Sequence, residues 1–254
     1  SVIFEENAFI GCKNLRNITI TASKEFQAGM NCFTNCNDKS FDLFINSGKV
    51  IIDKNCFKST NISTLTIAAQ SEIILKEKAF SNCTKLNNVN IKLNGKVTIS
   101  NECFYKDQNL TQVIIEGNEI STGTYSFSKC SSLNQLSFNK AENIILDNYS
   151  FSECNNISAL AFKVDFRFTA KYCCFNEMKN LNKVTIDCSR VDIGDFCFWN
   201  CSKLISIKFL STSYFSFYNT SFCGTNKDIQ YNFNENTHKL QHISGYIAYP
   251  KINI

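Results

Sequence analysis

The amino-acid sequence predicts a solenoid of about ten stacked repeats of 23 or 24 residues, built from parallel β-sheets and short helical turns. Three observations predict it: one phenylalanine recurs at a nearly fixed interval, other apolar residues keep fixed distances from it, and two apolar spacings coexist in each repeat. A period in this range indicates a unit too small to bury its own apolar face, so stacked neighbours complete the core. The recurring residues are Phe9, Phe33, Phe57, Phe80, Phe104, Phe127, Phe151, Phe175, Phe198 and Phe222.

Each repeat follows one template, numbered here from its phenylalanine as offset zero. Apolar residues or cysteine occupy offsets +3, +6, +9 and +11, and apolar residues return at offsets −7 and −5 of the next copy. The copy that begins at Phe80 shows this with Cys83, Leu86, Val89 and Ile91. Because the template holds along nearly the whole chain, we expect one domain over residues 1–233.

The spacing of offsets 0, +3 and +6 predicts a short helical or 3₁₀ turn, for which Asn7, Asn31 and Asn55 are plausible caps. Alternation at +9 and +11 predicts a main strand, and alternation at −7 and −5 predicts a second strand. Like strands of successive repeats are expected side by side, about 4.7–4.9 Å apart, in two parallel sheets that run the length of the chain.

The two ends of the chain depart from this pattern. Residues 234–254, which contain the only proline, Pro250, are predicted to form a carboxyl-terminal cap or tail. Val2 and Phe4 already occupy second-strand offsets, so the chain opens inside a repeat. A missing upstream cap, a partner or a trimmed chain would each explain this. The chain shows no signal peptide and no run of twenty apolar residues, so no membrane span is expected in it.

The template, in which a small residue and phenylalanine precede Cys, Leu and two strand positions, resembles the BspA-like class of leucine-rich repeats over about residues 2–233. The resemblance implies a leucine-rich-repeat fold. This family occurs in bacterial and protozoan surface proteins, and the resemblance also implies adhesion or protein recognition. Fold alone does not specify a partner.

Fourteen cysteines would ordinarily suggest disulfides or metal sites. Eleven of them, however, fall on offsets +3 or −1, where other repeats carry Ala, Ser, Thr or Met, so we interpret them as small buried thiols of the core. A bridge between stacked neighbours such as Cys130 and Cys154 stays open. Cys173, Cys188 and Cys223 lie off these offsets and are predicted to be the exposed thiols.

The sequence predicts no catalytic residue, no cofactor and no metal site, and therefore a protein that is not an enzyme. The two histidines, His238 and His242, lie in the tail without the HExxH context of a zinc enzyme. Neither of the phosphate-binding glycine motifs, GxxxxGK and GxGxxG, occurs in the sequence. Nucleic acid is not an expected partner, because the net charge is only +4 and Asp187 lies among the lysines of the main strands.

The outward offsets of the main strand, +8, +10 and +12, are predicted to bind a protein partner, because their residues are polar, mixed in charge and interrupted by small or apolar side chains. The candidate residues are Gln112, Ile114, Gln135, Ala161, Lys183 and Lys208. A second candidate patch is formed by Ile51 and Ile74 on the second strand, where a contact or self-association would explain outward isoleucines. The alternative is that β-branched residues simply favour strands.

Eight Asn-X-Ser/Thr sequons occur, and Asn82, Asn109, Asn156 and Asn200 are candidate N-glycosylation sites. Only Asn17 among the eight falls on an outward main-strand offset, so glycans would leave the main sheet free. We therefore expect a protein-binding domain of a cell-surface or secreted adhesin or receptor-like protein, with a host-surface, matrix or cytoskeletal protein as partner. The alternative is a cytoplasmic scaffold for cytoskeletal or signalling proteins, which the many reduced cysteines would suit.

Overall fold

A computed structural model describes residues 1–36, 38–227, 229–233 and 252–253, with only the backbone at 231–233 and 252–253. The described residues form seventeen short to medium strands: β1 Val2–Phe4, β2 Ile18–Ala28, β3 Phe41–Ile52, β4 Ile62–Leu75, β5 Asn88–Lys92, β6 Lys96–Ile99, β7 Gln112–Glu116, β8 Glu119–Thr122, β9 Gln135–Asn139, β10 Ala141–Leu146, β11 Ala159–Ala170, β12 Lys183–Asp187, β13 Arg190–Ile193, β14 Ser206–Leu210, β15 Tyr214–Phe217, β16 Gln230–Phe233 and β17 Ile252–Asn253.

Like strands of successive repeats pair in parallel, as the template predicts. The main sheet contains β5, β7, β9, β12, β14, β16 and β17, and the second sheet contains β1, β6, β8, β10, β13 and β15. The long strands β2, β3, β4 and β11 run through a corner and contribute to both sheets. The chain is therefore a parallel β-solenoid with the expected repeat length.

The main sheet is not continuous, which corrects the expectation that both sheets run the length of the chain. Its described strands form one ladder from β2 to β9 and another from β11 onward, and no backbone pairing joins β9 to β11. The second sheet continues through this region, because β10 pairs with both β8 and β11. Only Lys140, with a φ of 57°, separates β9 from β10, and this tight corner accompanies the break.

The ten phenylalanines form the internal ladder that the sequence predicts. Neighbouring rings lie 4.7–5.8 Å apart between centroids, with interplanar angles of 1–20°. The central members, from Phe57 to Phe175, are completely buried. Apolar strand residues at −7, −5, +9 and +11 close the core around them, so each repeat depends on its neighbours for burial.

The predicted helical turns are wrong: no helix occurs in the described part of the chain. Offsets −2 and +2 have positive φ in nearly every repeat, including 59° at Asn7, 54° at Asn31 and 55° at Asn55, and these left-handed residues interrupt a right-handed helix. The three asparagines are therefore turn residues, not caps. Alternate N–H groups of the turn donate to the next repeat, as from Phe33 to the carbonyl of Cys56 at 2.7 Å, and those between them donate to the carbonyl three residues earlier.

The cysteines at offset +3 also join neighbouring repeats. The thiol of Cys83 donates to the carbonyl of Phe57 at 3.1 Å, and that of Cys130 donates to Phe104 at the same distance. Asp107 takes this position in one repeat, where its Oδ1 accepts the N–H of Cys83 at 2.8 Å. Complete burial raises the pKa of the Asp107 carboxyl well above its usual range.

All fourteen cysteines are free and twelve of them are buried, which confirms the core-thiol interpretation. Two of the three predicted exposed thiols are wrong, since Cys173 and Cys188 are only 5% and 1% exposed. The thiol of Cys173 lies beside the side chains of Tyr149 and Tyr172, and that of Cys188 donates to backbone carbonyls. Cys223 is exposed, as predicted.

The predicted tail, residues 234–254, lies outside the described residues apart from the backbone of β17, which pairs in parallel with β16. His238, His242 and Pro250 also lie outside them. The boundary at residue 233 remains a prediction.

Candidate protein-binding surfaces

The main-sheet face consists of the outward residues of the main strands at offsets +8, +10 and +12. Strand alternation places these residues outside, because the intervening residues, such as Val113 and Ile115 on β7, are completely buried. Of the six predicted contact residues, Gln135, Ala161, Lys183 and Lys208 are exposed, while Gln112 and Ile114 are half-buried. All six therefore face outward, as the template requires.

The structure divides these six residues into two groups. Gln112, Ile114 and Gln135 belong to the ladder that ends at β9. Here the Gln112 amide donates to Gln135 Oε1 on the adjacent strand, so their side chains are tied to each other. Ile114 stands beside Ser137 in register. The break between β9 and β11 separates this group from the rest of the candidate surface.

The second group, Ala161, Lys183 and Lys208, occupies three adjacent strands of the ladder that starts at β11. Ala161 pairs with Thr185, which pairs with Lys208, and Lys183 lies two residues earlier on β12. Within the described residues, neither lysine makes an ion pair or a side-chain hydrogen bond. The two ammonium groups are thus unpaired within the described residues, and the hydrogen bonds between the strands fix the spacing of the two lysines.

The second-sheet face consists of the outward residues at offset −6. Ile51 and Ile74 are directly paired in register on β3 and β4, and both are half-buried. Ile145, in the same row, is 39% exposed and borders an open groove of about 610 Å³ together with Thr98 and Ser121. The two isoleucines of the predicted patch therefore do lie side by side. Their role in binding stays a prediction.

Charged residues along the edge of this second face pair with one another between repeats. Lys76 lies 2.7 Å from Asp53, and Lys54 lies 2.9 Å from Glu77. Burial raises the pKa of Asp53, but the hydrogen bond from Lys76, the backbone N–H of Lys54 and the charge of Lys76 together outweigh it and hold that pKa below its usual value. The Lys54 hydrogen bond lowers the pKa of Glu77. These pairs join neighbouring turns and leave little free charge for a partner.

The candidate glycosylation sites lie on the turn side of the solenoid, away from the main-sheet face. Asn82, Asn109 and Asn156 are exposed, and Asn200 is half-buried. The side-chain amides of Asn109 and Asn156 already donate to carbonyls of the preceding repeat, at 2.6 and 3.2 Å. Glycosylation at these positions stays a prediction.

Within the described ranges, no three His, Cys, Asp or Glu side chains cluster as metal ligands would. In the same part of the chain, no helix is long and apolar enough to cross a membrane.

A stack of parallel repeats around a phenylalanine ladder, with exposed strand faces, defines a solenoid of the leucine-rich-repeat class. The family model for the BspA type leucine-rich repeat region matches in six copies, over residues 2–74, 50–173 and 145–247. The chain therefore belongs to the BspA-type leucine-rich repeat family, which confirms the resemblance. Solenoids of this kind present extended binding surfaces, so the chain is a protein-interaction module.

One solved structure agrees on the fold, and a second was found with a lower score. A leucine-rich repeat protein from Bacteroides ovatus matches with a TM-score of 0.53 and 15% identity, over 94% of this chain and 69% of the other. A leucine-rich cell-surface protein from Faecalibacterium prausnitzii matches with a TM-score of 0.32 and 13% identity, over 93% and 89% of the two chains. A comparison with curated proteins found no match.

Proposed function

We propose that this domain is the recognition part of a cell-surface or secreted adhesin or receptor-like protein, and that it binds a protein through the main-sheet face. A host-surface, matrix or cytoskeletal protein would be the partner. The proposed function is recognition without catalysis. The binding surface is centred on the carboxyl-terminal ladder, where Ala161, Lys183 and Lys208 are exposed on adjacent strands.

The free lysines of this ladder carry the proposal. Among the described residues, the lysines of the second-sheet edge are committed to Asp53 and Glu77, whereas Lys183 and Lys208 have no such partners. Uncommitted charge on a rigid surface steers and orients a partner of opposite charge. The neighbouring Leu210, 37% exposed, adds apolar surface beside them. This combination favours an acidic protein surface with a small apolar contact.

The test compares wild type with a Lys183→Glu/Lys208→Glu variant. Both proteins are immobilised, the retained proteins are identified by mass spectrometry, and the affinity of each purified candidate is measured by interferometry. A true partner should bind the variant at least about tenfold more weakly, since removal of central charges at an interface commonly costs more than 1 kcal/mol. Its affinity for wild type should fall with added salt.

A matched control carries the same change in net charge on the turn side, at Lys13→Glu/Lys85→Glu, where both lysines are exposed. It should bind like wild type. If the partner binds all three proteins equally, with unchanged melting curves, the main-sheet face is excluded. Loss of binding in Ile51→Asp/Ile74→Asp alone would move the site to the second-sheet face.

The second candidate function is an intracellular scaffold for cytoskeletal or signalling proteins. The observation that favours it is the complete absence of disulfides among fourteen cysteines, which suits a reducing compartment. Antibody labelling of intact and permeabilised cells distinguishes the two. Labelling of intact cells supports the surface protein, and labelling only after permeabilisation supports the scaffold.

A further inference from the structure

A second open groove lies on the second sheet near the carboxyl end of the solenoid, away from the main-sheet face. Its volume is about 450 Å³, within the usual range for sites that bind small ligands. Two tyrosines stand at its rim, Tyr172 with 41% of its surface exposed and Tyr218 with 56%. Large aromatic side chains with this much exposure offer contact area at a low cost in conformational entropy.

The charges that line this groove cancel. Arg167 and Lys171 supply two positive charges, and Asp192 and Asp195 supply two negative ones. Arg167 is held 3.0 Å from Asp192, and Lys171 is held 3.3 Å from Asp147 outside the groove lining. A charged ligand therefore gains no net attraction here, and the groove suits a neutral one.

Two polar groups of the groove lack partners in the described structure. Asp195 Oδ1 and Thr169 Oγ1 are shielded from solvent and make no hydrogen bond there, and Asp195 has no ion pair within the same residues. The terminal torsion of a carboxylate is soft, so Asp195 can turn either oxygen toward the groove. A ligand that satisfies it must donate hydrogen bonds, because an ionised carboxylate only accepts them.

Tyr172 also belongs to a row of aromatic rings that runs along the turns. The row has one ring in each of five successive repeats: Tyr105, Tyr125, Tyr149, Tyr172 and Phe196. Their centroids are 4.7–6.4 Å apart, and one of the four contacts between adjacent rings, Tyr125 to Tyr149, is stacked while the other three are edge-on. Through Tyr172, the groove continues into this aromatic row.

The backbone shows that these rings are not the default residues of the turn. Tyr125, Tyr149 and Phe196 occupy offset −2 with φ of 56°, 56° and 51°. The first three repeats place asparagine at this offset, which tolerates a left-handed backbone far better than an aromatic residue does.

We propose that the groove and the aromatic row bind a neutral oligosaccharide. Sugar rings offer C–H faces to the tyrosines, and their hydroxyls both donate and accept, so they can satisfy Asp195 and Thr169 in a groove without net charge. A proline-rich peptide also favours aromatic grooves, but proline has no N–H to donate to Asp195. The oligosaccharide is therefore the ligand that both the aromatic rings and the unpaired carboxylate oxygen of Asp195 favour.

The test uses the full chain on an array of neutral oligosaccharides, including glucose-based and N-acetylglucosamine-based series, with a proline-rich decapeptide as the competing probe. Calorimetry then measures affinity for the bound series. Tyr172→Ala, Tyr218→Ala and Asp195→Asn should each weaken binding at least about tenfold. Phe44→Ala removes a similarly exposed ring, 40% exposed, from distant β3 and should bind like wild type.

The aromatic row predicts that longer oligosaccharides bind more tightly. Tyr125→Asn restores the residue type of the first repeats and should abolish this gain without affecting short chains. Its melting temperature should stay close to that of wild type, because relief of strain offsets the lost ring contacts. Affinity should not change with salt, and Lys183→Glu/Lys208→Glu should bind the sugar normally, so this site succeeds or fails independently of the main-sheet face.

Absence of any neutral oligosaccharide binding on the array would overturn the proposal. So would binding that survives both Tyr172→Ala and Tyr218→Ala, or binding of the proline-rich peptide alone. If Tyr172→Ala fails to fold, the more exposed Tyr218→Ala and the nearly isosteric Asp195→Asn decide the question.

Discussion

Replacement of Phe104 by alanine tests the phenylalanine ladder at its centre. Phe104 is completely buried, and its ring stacks between Phe80 at 5.3 Å and Phe127 at 4.9 Å, nearly parallel to both. Backbone hydrogen bonds fix the distance from this repeat to both of its neighbours. The N–H of Phe104 donates to the carbonyl of Ser126 at 2.7 Å, and the N–H of Phe80 donates to the carbonyl of Cys103 at 2.9 Å. The cavity left by the ring therefore has little room to collapse.

The expected loss of stability follows from this rigidity. Phenylalanine-to-alanine changes in packed cores cost about 3–5 kcal/mol, with the larger values where the surroundings cannot relax. We expect about 4–5 kcal/mol at Phe104. Phe9, half-buried at the first repeat, stacks on Phe33 alone in the ladder, at 4.8 Å, and Phe9→Ala should cost roughly half as much.

Urea denaturation followed by circular dichroism measures both variants. With an m value of about 3 kcal/mol/M, a loss of about 4.5 kcal/mol lowers the urea midpoint by roughly 1.5 M, and Phe9→Ala should lower it by about half of that. A changed m value would show that the repeats no longer unfold together. Equal midpoints for the two variants, or a near-neutral effect at Phe104, would refute the ladder as the source of stability.

Three further outcomes are expected. Burial raises the pKa of Asp107 above its unfolded value, so the contribution of Asp107 to the free energy of unfolding should be most favourable below the unfolded pKa and fall as pH rises toward the folded one. Asp107→Asn should therefore gain stability relative to wild type at pH 8 and lose that advantage at pH 4, and an unchanged difference in urea midpoint would contradict this. Denatured protein should titrate fourteen thiols, while native protein should react first at Cys223, so that Cys223→Ser removes the fast phase. Disulfides found by non-reducing mass mapping would contradict the free thiols. Phe127→Ala, equally buried between stacked neighbours, should match Phe104→Ala within about 1 kcal/mol in the same urea assay, and a much smaller loss would mean that the ladder is uneven.

The turns show where sequence reasoning failed. The spacing of offsets 0, +3 and +6 is shared by a helix and by a turn in which right-handed and left-handed residues alternate, so the sequence did not separate them. Hydrogen bonds between repeats, such as that from Phe57 to Ala79 at 2.7 Å, favour the second form. Asn31 and Asn55 did mark the turns, but their interpretation as helix caps was wrong, because asparagine suits both a helix cap and a positive φ.

The sequence also did not decide which side chains outside the recurring template positions are exposed to solvent. Cys173 is buried because Tyr149 of the preceding repeat and Tyr172 of its own repeat lie around its thiol. The aromatic row was missed because only three of its five rings share offset −2, while Tyr105 lies at +1 and Tyr172 at −3, so no single repeat position shows the whole row. A count of aromatic residues per turn, regardless of offset, was the signal that would have found it.

The sequence by itself determined the repeat, the phenylalanine ladder, the buried thiols and the outward direction of Lys183 and Lys208. These follow from periodicity, because a residue at a fixed offset meets the same neighbours in every copy. The tertiary structure alone decided the left-handed turns, the break between β9 and β11, and the groove at Tyr172 and Tyr218. These depend on how one repeat meets the next at single places, and a period shared by all the repeats carries no information about such local differences.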